Sequence, residues 1–436
     1  MKRFLSGGGG APAKVARKAA TLAPRGDPRT IICWNVENLK SRATQNRREV
    51  RDFLGACGAD VVFLSEVKLA AHCDKGAKKG DGAPRNRRRV NDKFYDDKVQ
   101  CAALLDVGPF AAPIYSLADW RYAGTCCLLR SDGPAPRRVS FSLEPPDAPP
   151  ARNSVAFADD HDPDGRVIVL EYETLVVLHT YSPNNGNDAR SFERRRLWEA
   201  KVRAFAEAVR ARGRSLVYVG DLNCAPTDDD LSHPAWFRAW NSNQPGKRLG
   251  KDRERLEADD EGQPGCTPRE GRYFQALLAA GGLADAFRDA RGAGAGAATI
   301  EGPHFSWRGP PGADGPPETG RYFGKGMRID HALVSTGVAV ESCDLLGRGV
   351  GREGFMGSDH CPLRLVLRGS AAPVAPVAPA PPPAPPPPAA PPAAPPRPEP
   401  AAAPSAEPEW TCAVCTLLNA EAFLACDACG TPRPSA

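Results

Sequence analysis

The sequence lacks two features that would place the protein in or across a membrane. It contains no run of eighteen apolar residues and no charged start followed by an apolar stretch and a small-residue cleavage site. A membrane-spanning helix requires the first pattern and secretion the second. We therefore expect a soluble intracellular protein that does not bind membranes. A large charge excess is also missing, since a net charge of +5 over 436 residues favours nucleic acid only weakly.

Disulfide-like spacing is missing from ten of the fourteen cysteines, which are scattered and include the adjacent pair Cys126 and Cys127. Such scatter is typical of a reducing compartment.

Acidic residues are missing before Asp27, and residues 1–29 are basic and rich in glycine and alanine. We therefore predict a disordered basic N-terminal tail over 1–29. We expect the nucleus as its destination, with the mitochondrion and the plastid as alternatives.

Large apolar side chains are almost missing from residues 369–408, which consist mainly of proline and alanine. Such a segment cannot bury a core, and proline favours an extended left-handed helix. We predict a linker that spans on the order of 100 Å at roughly 3.1 Å per residue. The segment after it is therefore expected to be tethered without packing against the rest of the chain.

Residues 409–436 carry two closely spaced pairs of cysteines: Cys412 with Cys415, and Cys426 with Cys429. Four thiolates at this spacing can hold one tetrahedral Zn²⁺ ion, which so short a segment needs in order to fold. The segment resembles the Ran-binding-protein type of zinc finger, because Trp410 and Asn419 stand where that pattern has tryptophan and asparagine. The resemblance leaves three ligands open, namely ubiquitin, another protein and single-stranded nucleic acid.

Residues 30–368 have the patterning of a folded domain. Apolar runs predict strands at TIICWNV, DVVFLSE, GTCCLLR, RVIVLEY, TLVVLHTYSP, SLVYVGDLN, RIDHALVS and LRLVL. Apolar residues at three-and-four spacing predict helices at QNRREVRDFLGACG, SFERRRLWEAKVRAFAEAVRARG and REGRYFQALLAAGGLADAF. Strands interleaved with amphipathic helices indicate an α/β layered sandwich. Residues 71–93 and 241–263 are polar and without period, so we predict surface loops there.

Acids and amides stand at the ends of four of these apolar runs. They are Asn35 with Glu37, Glu66, Asp221 with Asn223, and Asp330. A carboxylate at the end of a buried run is costly unless a partner compensates its charge. Magnesium prefers such oxygen ligands and keeps most of its waters for a substrate phosphate. Together with the loop residues Asp359 and His360, this set predicts a metal-dependent hydrolytic site.

These motifs resemble the exonuclease III group of AP endonucleases, within the endonuclease/exonuclease/phosphatase superfamily. The matching strings are CWNVENL, FLSEVK, YAGTCCLLRS, HTYSPNNG, VGDLNCAP, CTPREGRYFQALL, RIDHALVS and GSDHCPL. The resemblance implies a four-layer sandwich in which two packed β-sheets are flanked by helices, with the zinc finger as a separate small module.

The same resemblance implies the metal site and the reacting groups. A catalytic Mg²⁺ ion, or Mn²⁺ in its place, would be held by Glu66, with three other residues at the same site: Glu37, Asn35 and Asp359. Asp330 would orient His360, which holds or deprotonates the attacking water. Asp221, fixed by Asn223, would lie on the side of the water.

Substrate contacts follow from the resemblance as well. Asn35, Tyr181 and Asn184 would hydrogen-bond the scissile phosphate. Trp307 would form the wall of a pocket for an extruded, base-less sugar, although FSW also alternates as a core strand would. We therefore predict a Mg²⁺-dependent enzyme that cleaves duplex DNA 5′ of abasic sites and trims 3′-blocked ends. Two alternatives are a 3′-end-processing exonuclease or adduct-removing phosphodiesterase with little abasic-site preference, and a non-catalytic zinc-finger adaptor.

Overall fold

The computed structural model describes residues 26–70, 95–118, 121–144, 156–186, 189–239, 258–291, 302, 304–309, 322, 324–368, 409–411 and 418–420. The chain divides into two compact units, residues 1–379 and 380–436. In the second unit, β16 (Glu409–Thr411) pairs antiparallel with β17 (Leu418–Ala420). The four cysteines predicted to bind zinc and residues 71–93 lie outside the described residues.

The first unit contains both strands and helices. Its described strands are β1 (Thr30–Asn35), β2 (Val61–Ser65), β3 (Ile114–Ser116), β4 (Thr125–Leu129), β5 (Arg138–Phe141), β6 (Ala156–His161), β7 (Val167–Glu171), β8 (Leu175–Tyr181), β9 (Ser215–Asp221), β10 (Leu283–Asp285), β11 (Trp307–Arg308), β12 (Gly326–Met327), β13 (Asp330–Ser335), β14 (Val340–Leu345) and β15 (Leu363–Leu367). Its described α-helices are α1 (Leu39–Gln45), α2 (Arg47–Ala56), α3 (Tyr95–Leu105), α4 (Ala189–Ala211), α5 (Pro234–Arg238), α6 (Pro268–Gly281) and α7 (Ala286–Arg291).

Two mixed sheets organise this unit. The six-stranded sheet has the order β14-β15-β1-β2-β4-β3, and the seven-stranded sheet has the order β10-β13-β9-β8-β7-β5-β6. Strands β1 and β2 are parallel in the first sheet, and β8 and β9 are parallel in the second. Strands β11 and β12 form a separate antiparallel pair.

Alternating side chains of each strand enter different layers of the core. Ile31 of β1 and Val217 of β9 belong to a buried cluster that both sheets share. Ile32 faces the other way, into a cluster with α1, α2 and α3, while Leu216 faces a cluster with α4 and α6. This period of two gives the order helix, sheet, sheet, helix. The predicted four-layer sandwich is therefore confirmed.

The predicted strands are present, and several are buried on both faces, as in the fully buried β2 and β9. The third predicted helix is wrong in its last third. Gly282 adopts a left-handed conformation (φ 59°, ψ 45°) that ends α6, and Leu283 then begins β10. Glycine populates this conformation without the steric cost of a side chain, so it breaks a helix that apolar periodicity alone would continue.

The predicted loop over 241–263 is described only from residue 258 onward, and that part is not solvated throughout. Asp260 is buried and pairs with Arg196 and Arg269, each at 2.8 Å. The polar composition of this segment therefore gave no indication that Asp260 is buried and ion-paired.

Within the described residues, every helix is too short or too polar to cross a bilayer.

Candidate active site

The candidate site lies where strand ends of the two sheets meet. Asn35 is the last residue of β1, and Asp221 is the last residue of β9. Asn35 Nδ2 donates to Asp221 Oδ2 at 2.9 Å, and both side chains are buried. This hydrogen bond joins the two sheets at one edge. Tyr181 and Asp330 flank Asp221 as its register partners in β8 and β13.

His360 is fixed on three sides. Its Nδ1 donates to Asp330 Oδ2 at 2.7 Å, its backbone N–H donates to Ser358 Oγ at 3.1 Å, and its carbonyl accepts from Trp34 Nε1 at 2.9 Å. A ring whose Nδ1 is held by a buried carboxylate has a defined tautomer and orientation. Nε2 is consequently the ring atom that points toward Asp221 Oδ2, at 3.8 Å.

The charges of this cluster are strongly coupled. Burial alone would lower the pKa of His360, but the carboxylates of Asp330 and Asp221 outweigh it and raise the pKa to about 10. For Asp221, burial raises the pKa, and although His360 opposes the rise, the pKa reaches about 7. The cluster therefore favours the imidazolium form of His360 and raises the affinity of the Asp221 carboxyl for a proton.

Asn223 connects Asp221 with the loop after β8. Its backbone N–H donates to Asp221 Oδ1 at 2.9 Å, and its Nδ2 donates to the carbonyl of Ser182 at 2.8 Å. Its Oδ1 accepts from Nδ2 of the exposed Asn184 at 3.4 Å. The two asparagines thus present amide groups at the rim of the buried Asp221–His360 pair.

Glu66, directly after β2, is held by two partners. Tyr181 Oη donates to Glu66 Oε1, and Lys68 Nζ lies 2.7 Å from Glu66 Oε2. Burial and then the charge of Glu66 raise the pKa of Tyr181 well above its usual value, so the phenol stays protonated and can donate. The predicted metal ligand Glu66 and the predicted phosphate ligand Tyr181 are therefore in direct contact.

The outer part of the site contains Glu37, Asp359 and Trp307. The Glu37 side chain is about half exposed, and its pKa is raised by partial burial and by the charge of Asp359. Trp307 Nε1 donates to Asp359 Oδ2 at 3.0 Å, and Asp359 Oδ1 lies 4.0 Å from His360 Nε2. The half-buried Trp307 thus contacts the site through its polar edge and packs on Tyr322 with its ring.

Three predicted site residues have left-handed backbone conformations. These are Glu37 (φ 60°), Glu66 (φ 53°) and Asn223 (φ 48°). For residues other than glycine this region costs about 1 kcal/mol or more, and the surrounding fold must hold it. Each of the three comes just after a strand that ends in the site.

Two supporting residues were missed by the sequence reasoning. Ser306 Oγ accepts from the backbone N–H groups of Ile329 and Asp330, at 3.1 and 3.0 Å, and so fixes the start of β13. Lys68 neutralises Glu66 from two residues away in FLSEVK. The sequence does place Lys68 close to Glu66, so their pairing could have been predicted. In contrast, nothing in HFSW indicates that its serine accepts a hydrogen bond from the backbone of an aspartate 24 residues later.

The donor set suits a hard divalent cation. Among the described residues, potential ligand atoms of Asp221, Asp330 and His360 lie within 4.8 Å of one another, but a His360 ring that is protonated and bonded to Asp330 leaves the carboxylates as the cation-binding groups. Asp330 Oδ1 is buried without a hydrogen-bond partner. Crowded carboxylates with raised pKa values, such as those of Asp221 and Glu37, are the arrangement that a divalent ion stabilises.

A sandwich with this acid–imidazole cluster at its edge is the architecture of metal-dependent hydrolases. The profile of the Endonuclease/Exonuclease/phosphatase family matches residues 32–360. The chain belongs to this family.

Relatives within the family are named for activity on DNA. A DNA-(apurinic or apyrimidinic site) endonuclease of Arabidopsis thaliana is 34% identical over 353 residues, which cover 78% of this chain and 85% of that protein. One of Plasmodium falciparum is 31% identical over 79% of this chain and 55% of the relative. An exodeoxyribonuclease of Streptococcus pneumoniae is 24% identical over 77% of this chain and 98% of the relative.

Solved structures share the fold. The AP endonuclease of Leishmania major has a TM-score of 0.54 with 20% identity, over 78% of this chain and 88% of that one. A 3′ phosphatase of Neisseria bound to a product DNA hairpin has a TM-score of 0.50 with 23% identity, over 78% of this chain and 99% of that one.

Proposed function

We propose that this protein is a divalent-metal-dependent DNA phosphodiesterase that cleaves duplex DNA 5′ of abasic sites and also trims blocked 3′ ends. The observation that carries the proposal is the buried Asp330–His360–Asp221 cluster between the ends of two sheets. The relative from Arabidopsis, which is named for abasic-site endonuclease activity and aligns over most of its length, supports the substrate.

The proton transfer is assigned to Asp221. Water attacks phosphorus, Asp221 accepts a proton from that water, the bond from phosphorus to the 3′ oxygen breaks, and the departing 3′ oxygen takes a proton from solvent. Asp221 suits this step because burial raises its pKa and its Oδ2 lies 3.8 Å from His360 Nε2. His360, held as an imidazolium by Asp330, supplies positive charge to the phosphate oxygens. Of the two roles that the sequence left open for His360, the bond from its Nδ1 to the buried Asp330 favours holding over deprotonating.

Neutral donors would bind the remaining phosphate oxygens. Asn35 Nδ2 already donates to Asp221, Tyr181 Oη points at Glu66, and Asn184 lies exposed at the rim. Asn35 and Tyr181 are held in position by these contacts before substrate arrives. Preorganised donors stabilise developing charge without reorganising during the reaction.

Magnesium, or manganese, would be held by the carboxylates of Glu66 and Glu37, with Asn35 and Asp359 at the same site. When bound, the ion would polarise the phosphate and neutralise its charge. Glu66 suits this role because its partners Tyr181 and Lys68 hold the carboxylate in place. Trp307, beside Asp359, would pack against the base-less sugar.

The four cysteines of the C-terminal segment support a separate proposal. Their C-x2-C-x10-C-x2-C spacing favours one structural Zn²⁺ ion, in a finger that recruits the enzyme to a partner. The partner would be ubiquitin, another protein or single-stranded nucleic acid.

A panel of labelled duplexes tests the proposed activity against its closest alternative. Initial rates are compared on duplexes with an internal abasic site, a one-nucleotide gap and a 3′-blocked end. The proposal predicts the highest kcat/KM on the abasic duplex. A highest value on the blocked end, with abasic cleavage at background, would identify a 3′-end-processing phosphodiesterase instead.

A further inference from the structure

A buried arginine outside the reacting groups connects the two loops that carry them. Arg195 lies on α4 and is only 2% exposed. Its Nη1 donates to the carbonyl of Pro183 at 2.8 Å, and its Nη2 donates to the carbonyl of Leu222 at 2.8 Å. One rigid guanidinium thus spans the loop after β8 and the loop after β9.

The two carbonyls are direct neighbours of the site residues. Pro183 precedes Asn184, and Leu222 stands between Asp221 and Asn223. A change in the distance between these carbonyls would therefore move the phosphate-binding rim relative to the proton acceptor. Asn184 is joined to the other loop by a 3.4 Å hydrogen bond to Asn223, which is weak by its length.

Other contacts hold Arg195 in this position. Glu199, one turn later on α4, lies 2.6 Å from Arg195 Nη2. Trp198 Nε1 donates to Ser182 Oγ at 3.0 Å and ties the same helix to the same loop. Because α4 also packs in the outer core through Val202 and Phe205, the arginine connects the rigid helical layer to the site.

Solvent has little space beside the guanidinium as it stands. A cavity of about 10 Å³ adjoins Arg195, Glu199 and Leu222, and one water needs roughly 10–15 Å³ of such space. An apolar side chain at this position would offer no donor to either carbonyl, and we expect the loops to shift to compensate.

We propose that Arg195 is a positioning residue that sets the separation of Asn184 from Asp221 through Pro183 and Leu222. The inference rests on the proposed function for its effect on turnover, but not for its effect on the two loops. No atom of Arg195 needs to touch the DNA. A lysine, with one ammonium in place of a planar fork, can satisfy only part of this arrangement.

The test compares Arg195→Lys with a matched control, Arg214→Lys. Arg214 Nη2 also donates to two carbonyls, those of Tyr172 at 2.8 Å and Leu175 at 3.5 Å, but at the opposite end of β8. On an abasic duplex with Mg²⁺, we expect Arg195→Lys to lower kcat at least about tenfold with KM within about twofold, since misplacement by about 1 Å can cost about 10²-fold. Arg214→Lys should retain the wild-type kcat.

Hydrogen exchange of the metal-free full-length protein supplies a readout that does not depend on activity. Peptides covering 182–186 and 222–225 should exchange at least about threefold faster in Arg195→Lys than in Arg214→Lys. If Arg195→Lys does not fold, Glu199→Gln, which removes the anchor of the guanidinium, should show the same faster exchange and a smaller fall in kcat.

The outcomes separate the inference from the proposed function. The positioning role is overturned if both loops of Arg195→Lys exchange at the rate of the Arg214→Lys control. It is also overturned if the wild-type protein cleaves the duplex and Arg195→Lys has the same kcat. A wild-type protein that does not cleave the abasic duplex refutes the proposed function, and the exchange data then decide the role of Arg195 alone.

Discussion

Replacement of Asp330 by asparagine perturbs the centre of the site with a minimal change of shape. The Oδ2 atom of Asp330 lies 2.7 Å from His360 Nδ1, and both side chains are buried. The rise in the pKa of His360 from 6.5 to about 10 corresponds to about 5 kcal/mol of preference for the imidazolium. Asp330→Asn removes the largest favourable contribution to that preference, so we expect the pKa of His360 to fall by roughly 1 to 3 pH units.

Two assays follow from this magnitude. NMR titration of His360 in EDTA measures its pKa directly, and single-turnover cleavage with Mg²⁺ should slow by about 10² to 10⁴. The sign of the stability effect is also fixed. Because the folded pKa is raised, the contribution of His360 to the free energy of unfolding is present below pH 6.5 and is lost as pH rises through about 10.

Urea unfolding without metal should therefore show that the free energy of unfolding of the variant falls less steeply between pH 6.5 and about 10 than that of the wild type. A His360 pKa that does not change in Asp330→Asn, or a cleavage rate within about threefold of wild type, would refute the assigned coupling. His360→Asn serves as the control that identifies the titrating resonance.

Four further perturbations test other parts of the account. Glu66→Gln should reduce cleavage by about 10² or more with an unchanged circular dichroism spectrum, because a carboxylate ligand of the metal is lost; near-normal turnover would exclude that role. Trp307→Ala should lower abasic-site cleavage far more than 3′-end trimming; equal loss of both with a large fall in Tm would make it a core residue. A chain ending at Arg368 should keep its specific activity on a short abasic duplex, since no proposed catalytic residue lies beyond it; loss of that activity would contradict a finger that only recruits. Arg328→Met should lower the free energy of unfolding by about 3–5 kcal/mol, because it leaves the buried acids that now lie 2.7 Å from the guanidinium without its charge; urea unfolding that shows a loss below about 1 kcal/mol would contradict this.

The architecture could be predicted because it depends on local patterns. Apolar runs such as DVVFLSE become strands buried on both faces, and their order along the chain indicates layers. The pattern failed at Gly282, where apolar spacing continues but the backbone turns left-handed and a strand begins. A helix and a short edge strand share the same residue types there, and only pairing with β13 distinguishes them.

The membership of the candidate site could be predicted, whereas its geometry could not. Polar residues at strand ends identified the set, but the 2.9 Å contact of Asn35 with Asp221 joins residues 186 positions apart on different sheets. Such pairing depends on how the sheets stack, which no local pattern records. The role of Ser306, which holds the start of β13, was invisible for the same reason.

The central claim is tested most directly by mapping the bond that is cut. A duplex with one synthetic abasic site, labelled at the 5′ end of the damaged strand, is incubated with the full-length protein and Mg²⁺, and in parallel with EDTA. The account predicts a single product that ends 5′ of the abasic site in a 3′-hydroxyl that a polymerase can extend, and no product in EDTA. No cleavage with Mg²⁺, equal cleavage in EDTA, or a cut on the 3′ side of the abasic site would contradict it.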